Sequence, residues 1–249
     1  MEILINKYLV KGRHIMDYEN VTSAWEYGVG RSSYHFRTDI IDPRWDTVIG
    51  LGRFEGDWTE EVKIAEQSAH RVNLETRRKD WIEDTESRAA HPDVKLAHAE
   101  KNDVEAAGGD YDRTILRVEH DLGPTFKKMV DMIGLADHES RLHVQFPTEC
   151  FAGHIDRFDM NYLNVELDQL MRIGIMLKDW QQGQFFQFGN FPYQQWRAGD
   201  IHTFEYLHVP HYTANSGKEA RVTLFTTGII TDKTREFIAR SKKSKSIKI

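Results

Sequence analysis

In FAGHIDRFD, residues 151–159, an imidazole and a carboxylate lie two residues apart among apolar and aromatic neighbours. Side chains alternate between the faces of a strand, so His154 and Asp156 share one face and Ile155 takes the other. An imidazole and a carboxylate side by side are two donors for a metal ion, and two donors rarely hold an ion alone. A facial site of two imidazoles and one carboxylate, with positions left open for other ligands, needs a second histidine. His202, His208 and His211 all fall on late strand-like segments. In VPHYTANSGKEARVTLFTTG, Arg221 follows His211 by ten residues with the turn NSGKE between them, so neighbouring strands can bring both side chains into one barrel mouth. His211 is therefore taken as the third ligand, with His208 as its rival. His202, between Ile201 and Thr203, reads as a strand residue with its hydrogen bonds satisfied.

An arginine aimed into a barrel is costly unless it meets an anion, because an unpaired buried charge is heavily penalised. A dicarboxylic acid would meet it, since the planar guanidinium binds a carboxylate through two parallel hydrogen bonds. Thr223 faces the same way as Arg221, and its hydroxyl can add a bond to that carboxylate.

The ordered set of HxD at His154 and Asp156, then His211, then RxT at Arg221 and Thr223 resembles the iron(II)/2-oxoglutarate-dependent dioxygenases. The segment WRAGDIHTFEYLHVPHYTANSGKEARVTL is similar to the aspartyl/asparaginyl β-hydroxylase and proline hydroxylase branch, and the likeness covers about residues 140–230. It implies Fe(II) held by His154, Asp156 and His211, with the distal carboxylate of 2-oxoglutarate held by Arg221 and Thr223. By strand position, Gln145, two residues beyond His143, is within reach of the α-keto end of that co-substrate, and strand phase aims Arg172 either inward at a substrate carboxylate or outward at solvent. The implied reaction uses O2 and hydroxylates an unactivated C–H bond of a free or peptidyl amino acid, releasing succinate and CO2, with ascorbate as an assay additive. Because Asp156 is present, hydroxylation is favoured over halogenation, for which relatives give up the carboxylate. The same donors also suit Mn(II), Co(II) or Ni(II). Two alternatives stand beside this one: a non-oxidative cupin-like metal protein, and an oxygenase acting on nucleic acid.

The elements that must position these residues are short. RLHVQF, GHIDRF, MRIGIML, GQFFQFG, DIHTFEY, HYTAN and RVTLFTTGII, all after residue 136, read as strands separated by turns. The expected architecture is mainly β with flanking helices (α+β) around a double-stranded β-helix core, a cupin-like jelly roll. Phe126, Met129, Val130 and Ile133 recur at helical spacing between Pro124 and Gly134 and predict a supporting helix. A single domain is expected. It comprises 1–136 (N-terminal strands, a charged helical elaboration over 57–110, and the supporting helix), 137–230 (the catalytic jelly roll) and 231–249 (a C-terminal helix and basic tail). That tail, SKKSKSIKI, reads as a frayed, solvated end. Trp180, Trp196, Phe185, Phe186 and Phe188 read as core or barrel-wall aromatics.

Composition excludes more than it identifies. The 249 residues carry a formal charge of −6, so no broad basic field is present to concentrate on nucleic acid, and only the tail supports that alternative. The single cysteine, Cys150, forms no internal disulfide. MEILINKYLVKGRH lacks the order of a signal peptide, and no run approaches the length of a membrane helix. A soluble, cytoplasmic enzyme acting on a small or peptidyl amino acid is expected, with oligomeric state left open.

Overall fold

The computed structural model describes residues 48–72, 116–154, 156, 165–189, 191–206 and 209–249. The expected strands before residue 48, most of the charged elaboration, and His208 lie outside them. In chain order the elements are β1 (Ile49–Glu55), α1 (Thr59–Ser68), β2 (His70–Val72), β3 (Leu116–Glu119), α2 (Pro124–Ile133), β4 (Ala136–Gln145) and β5 (Cys150–His154). They continue with β6 (Leu170–Met176), β7 (Gln184–Phe188), β8 (Phe191–Tyr193), β9 (Asp200–Thr203), β10 (His211–Asn215), β11 (Arg221–Ile229), α3 (Asp232–Ser244) and β12 (Ser246–Lys248).

Among the described residues the strands form two sheets. One runs β12-β1-β9-β6-β11-β4-β3-β2, and the other β5-β10-β7-β8. This double-sheet jelly roll is the expected fold. Its central strand β11 is buried along nearly its whole length. Such a strand has two different insides. Val222 and Leu224 join Leu142, Val144, Ile173, Ile175 and Ile201 in a core that also takes Phe126, Met129, Val130 and Ile133 of α2 and Phe237 and Ile238 of α3. The opposite parity, Arg221, Thr223, Phe225 and Thr227, aligns with Gln145 and His143 of β4 and with Met176, Gly174 and Arg172 of β6. That face looks toward the small sheet, where Phe186, Phe188, Phe204 and Phe225 form a second, aromatic cluster. A one-residue slip would exchange these faces, so the apolar helix-side set locks the register that turns the polar set inward.

The helices buttress the large sheet. Pro124 opens α2 after an extended Gly123, and Gly134 closes it in the left-handed region at φ 74°, its N–H bonded to Val130 O at 3.0 Å. Thr231 and Thr234 cap α3 reciprocally, and both hydroxyls donate to Gly134 O, at 2.6 and 2.8 Å, so the end of one helix anchors the start of the other. The tail departs from expectation. Ser246–Lys248 pairs in parallel with Arg53–Glu55 of β1, and Ile247 is buried in the helix-side core. Ile247 explains the order: one apolar residue at the right phase lets the segment cover a sheet edge instead of fraying. No helix among the described residues is long and apolar enough to cross a membrane.

Candidate metal centre and anion pocket

Strands β5 and β10 lie side by side in the small sheet, with His154 opposite His211. Their ring centroids are 4.3 Å apart. Asp156 follows β5, its backbone N–H bonded to Tyr206 O at 2.9 Å, and its Oδ1 and Oδ2 lie 3.5 Å from His154 Nε2 and 3.6 Å from His211 Nε2. One donor atom from each of the three residues falls within 4.8 Å of the others.

Protonation favours a cation here. His211 Nδ1 lies 3.0 Å from Val209 O; a carbonyl only accepts, so Nδ1 carries the proton and Nε2 presents its lone pair to the cluster. Burial, reinforced by His154, pushes the His211 imidazole down to about 3. Burial alone would raise the Asp156 carboxyl, but the Arg172 guanidinium, with His211 and His154, holds it well below the usual carboxylate range. A neutral imidazole beside an ionised carboxylate is the state in which such groups bind metal. Two nitrogens and one oxygen on one side of a common point fit a facial first-row metal site.

Arg221, on β11 of the facing sheet, is 4% exposed. Its Nε and Nη2 donate to Gln145 Oε1 at 3.3 and 3.2 Å, and its Nη1 to Thr223 Oγ1 at 3.1 Å. Its Cζ stands 4.8 Å over the Phe186 ring. These partners are all neutral, and among the described residues no carboxylate pairs with it. Burial accordingly pushes the guanidinium down to about 9. Gln145 Nε2 donates to Thr213 Oγ1 at 2.8 Å, which turns the amide oxygen toward Arg221. Thr213 is two residues beyond His211 on β10, a rise of about 7 Å along a strand. The arginine network thus reaches the small sheet two residues from the donor cluster.

The structure brings together His154, Asp156 and His211 at one position, and Arg221, Thr223 and Gln145 at a second. Gln145, expected at the keto end, makes its contacts with Arg221 and Thr213. Arg172 points inward. Its Nη1 donates to Asp156 Oδ2, its Nε donates to Thr227 Oγ1 at 2.8 Å, and its Cζ stands 4.4 Å over the Tyr206 ring. The sequence leaves both directions open for Arg172, and neither Thr227 nor Tyr206 carries a sequence signal for this contact.

His202 corrects the expectation of a satisfied strand residue. It is fully buried, and both ring nitrogens lack hydrogen-bond partners among the described residues. Its ring lies over Gly174, where a Cβ would meet its Cε1 and Nε2 at 2.5 Å, and it is surrounded by Phe186, Phe188, Tyr193, Phe204 and Phe225. Burial, assisted by Arg221, pushes it down to about 3. Strand phase was legible, but it says nothing about what lies across the barrel. Of the expected wall aromatics, Phe186, Phe188 and Trp196 are buried, whereas Phe185 and Trp180 are half-buried, Phe185 packing against Tyr212 at 5.4 Å.

No family model and no curated protein matches the sequence. Solved structures do. A Pseudomonas putida prolyl-4-hydroxylase aligns at 17% identity over 55% of this chain and 86% of that one, with a TM-score of 0.35. A Cupin 2 conserved barrel domain protein from Salinispora arenicola aligns at 16% identity over 50% and 84%, with a TM-score of 0.29. The chain spans only 62% of a matched Acidithiobacillus ferrooxidans protein, at 15% identity over 47% of this chain and a TM-score of 0.31.

Proposed function

We propose that the protein is an Fe(II)- and 2-oxoglutarate-dependent dioxygenase that hydroxylates an unactivated C–H bond of a free or peptidyl amino acid. The observation that carries this reading is Arg221: a buried guanidinium, hydrogen-bonded only to neutral groups among the described residues, in the interior that also holds the His154–Asp156–His211 cluster. A buried cation without a counter-ion calls for an anionic ligand, and its place near the cluster suits a ligand that is a carboxylate at one end and a metal chelator at the other. Fe(II) bound by His154, Asp156 and His211 would supply O2-dependent hydroxylation coupled to decarboxylation of the co-substrate to succinate. The chain's own part is positioning. Arg221 and Thr223 receive the distal carboxylate, Gln145 orients Arg221, and Phe186, Phe188 and Phe204 keep the interior dry. A dry interior strengthens each of these polar contacts.

The test is anaerobic titration of the protein with Fe(II) and 2-oxoglutarate. A visible charge-transfer band is expected, lost in Arg221→Ala and His211→Ala; no band in the wild-type protein overturns the reading. Succinate release is then screened against a panel of amino acids and peptides. Stimulation by none of them removes the amino-acid substrate class while leaving the co-substrate assignment intact.

A further inference from the structure

Asp156 offers two oxygens, and they have different surroundings. Oδ2 accepts from Arg172 Nη1 and lies 3.6 Å from His211 Nε2, whereas Oδ1 lies 3.5 Å from His154 Nε2 with no contact to Arg172 among those the structure shows. Arg172 has little freedom to change this. Its Nε is committed to Thr227 Oγ1 at 2.8 Å, its planar face rests on Tyr206, and its own carbonyl accepts from Thr203 Oγ1 at 2.6 Å. Tyr206 also fixes Asp156 from the other side, because its carbonyl receives the Asp156 N–H. Arginine and carboxylate are therefore located by one shared residue, and a guanidinium whose Nε is already used cannot close side-on over both oxygens.

We infer that Arg172 is a positioning residue that claims Asp156 Oδ2 and limits the aspartate to one metal-binding oxygen, Oδ1. The inference rests on the metal reading above. Its consequence is the number of positions left free at the ion. Two histidines and a one-oxygen aspartate occupy about three of the roughly six places around an octahedral ion. An aspartate released to bind through both oxygens would take a fourth, at the expense of co-substrate or O2. Arg172 also sets affinity, because a fixed cation next to the site repels a divalent ion and competes with it for the same carboxylate. Removing it is expected to tighten metal binding and spoil the site together.

Mn(II) binding read by electron paramagnetic resonance and water-proton relaxation tests this without turnover. Arg172→Met keeps the apolar stem against Tyr206 and removes the donors; Arg172→Lys keeps one charged donor. Wild type is expected to hold Mn(II) with about three exchangeable waters, and Arg172→Met with about two, a fall of about one third in inner-sphere relaxation per bound ion. Arg172→Met is also expected to bind several-fold more tightly, while Arg172→Lys stays near wild-type hydration. A merely structural role would weaken binding and leave hydration per bound ion unchanged. That result, or unchanged hydration at any affinity, overturns the inference, as does an Arg172→Met protein that binds no Mn(II) while Arg172→Lys does. Wild type that holds hydrated Mn(II) but shows no 2-oxoglutarate band overturns the proposed function and leaves this inference standing. Wild type that shows the band, with identical hydration in Arg172→Met, does the reverse.

Discussion

Arg221→Met should make the metal-free protein more stable and the ligand-bound protein less so. Burial lowers the guanidinium from 12.5 to about 9. At about 1.4 kcal/mol per power of ten, the charge costs the folded state about 5 kcal/mol, in full below pH 9 where both folded and unfolded chains carry the proton. Methionine has a similar reach and no charge. Its cost is the buried Gln145 Oε1 left without a donor, about 1–3 kcal/mol; Thr223 Oγ1 retains the Met176 sulfur at 3.7 Å. Taking the larger penalty leaves about 2 kcal/mol of net stabilisation, or about 4–8 °C in Tm for a chain of this size. 2-Oxoglutarate should act in the opposite sense. At a hundredfold its Kd it would stabilise the wild-type protein by about 2.7 kcal/mol, or about 5–11 °C, and leave Arg221→Met unmoved. Differential scanning fluorimetry with Mn(II), with and without 2-oxoglutarate, measures both. An Arg221→Met protein melting well below wild type would mean that the arginine is a structural ion-pair partner. Equal ligand shifts in the two proteins would mean that the anion binds elsewhere.

Three further outcomes are expected. Asp156→Ala should weaken Mn(II) binding by at least tenfold, about 1.4 kcal/mol, by isothermal titration calorimetry; unchanged affinity would remove the aspartate from the ligand set. Gly174→Ala drives a Cβ to 2.5 Å from the His202 ring and 2.8 Å from Phe225 Cε1. It should cost about 1–3 kcal/mol by urea unfolding, and His202→Ala in the same chain should recover part of that loss; strictly additive effects would contradict the contact. His202 also makes stability depend on pH. Its folded value is about 3 against about 6.5 unfolded, so below pH 6.5 the unfolded chain takes up a proton that the folded chain refuses. Stability should fall by about 2 kcal/mol between pH 6.5 and 5 through this residue alone, and His202→Leu should flatten the urea-midpoint profile by that amount; parallel profiles would refute it.

What could be read from the sequence and what could not divides along a physical line. A strand's period is two, so the shared phase of Arg221 and Thr223 follows from one-dimensional spacing, and both are buried on β11; Asp156 instead meets His154 from beyond the end of β5, where alternation no longer applies. The apolar stripe of α2 was legible for the same reason: Phe126, Met129, Val130 and Ile133 repeat at the helical period and are buried. Contacts across the barrel have no such period. Whether Arg172 meets solvent, a substrate or Asp156 depends on how β6 faces a residue beyond the end of β5, and that is set by the curvature and separation of two sheets. His202 shows the other half of the argument. Its phase predicts burial, but burial opposite Gln or Thr would satisfy an imidazole, whereas burial among Phe186, Phe188, Phe204 and Phe225 leaves both nitrogens without partners among the described residues. Two of the interior's basic groups therefore carry a cost, Arg221 through its charge and His202 through its unsatisfied nitrogens. Local propensity does not explain that pair, since a barrel selected for stability alone would fill both positions with aliphatic side chains. The anionic ligand proposed above would offset the charge of Arg221, whereas the cost at His202 comes from the aromatic side chains that enclose it.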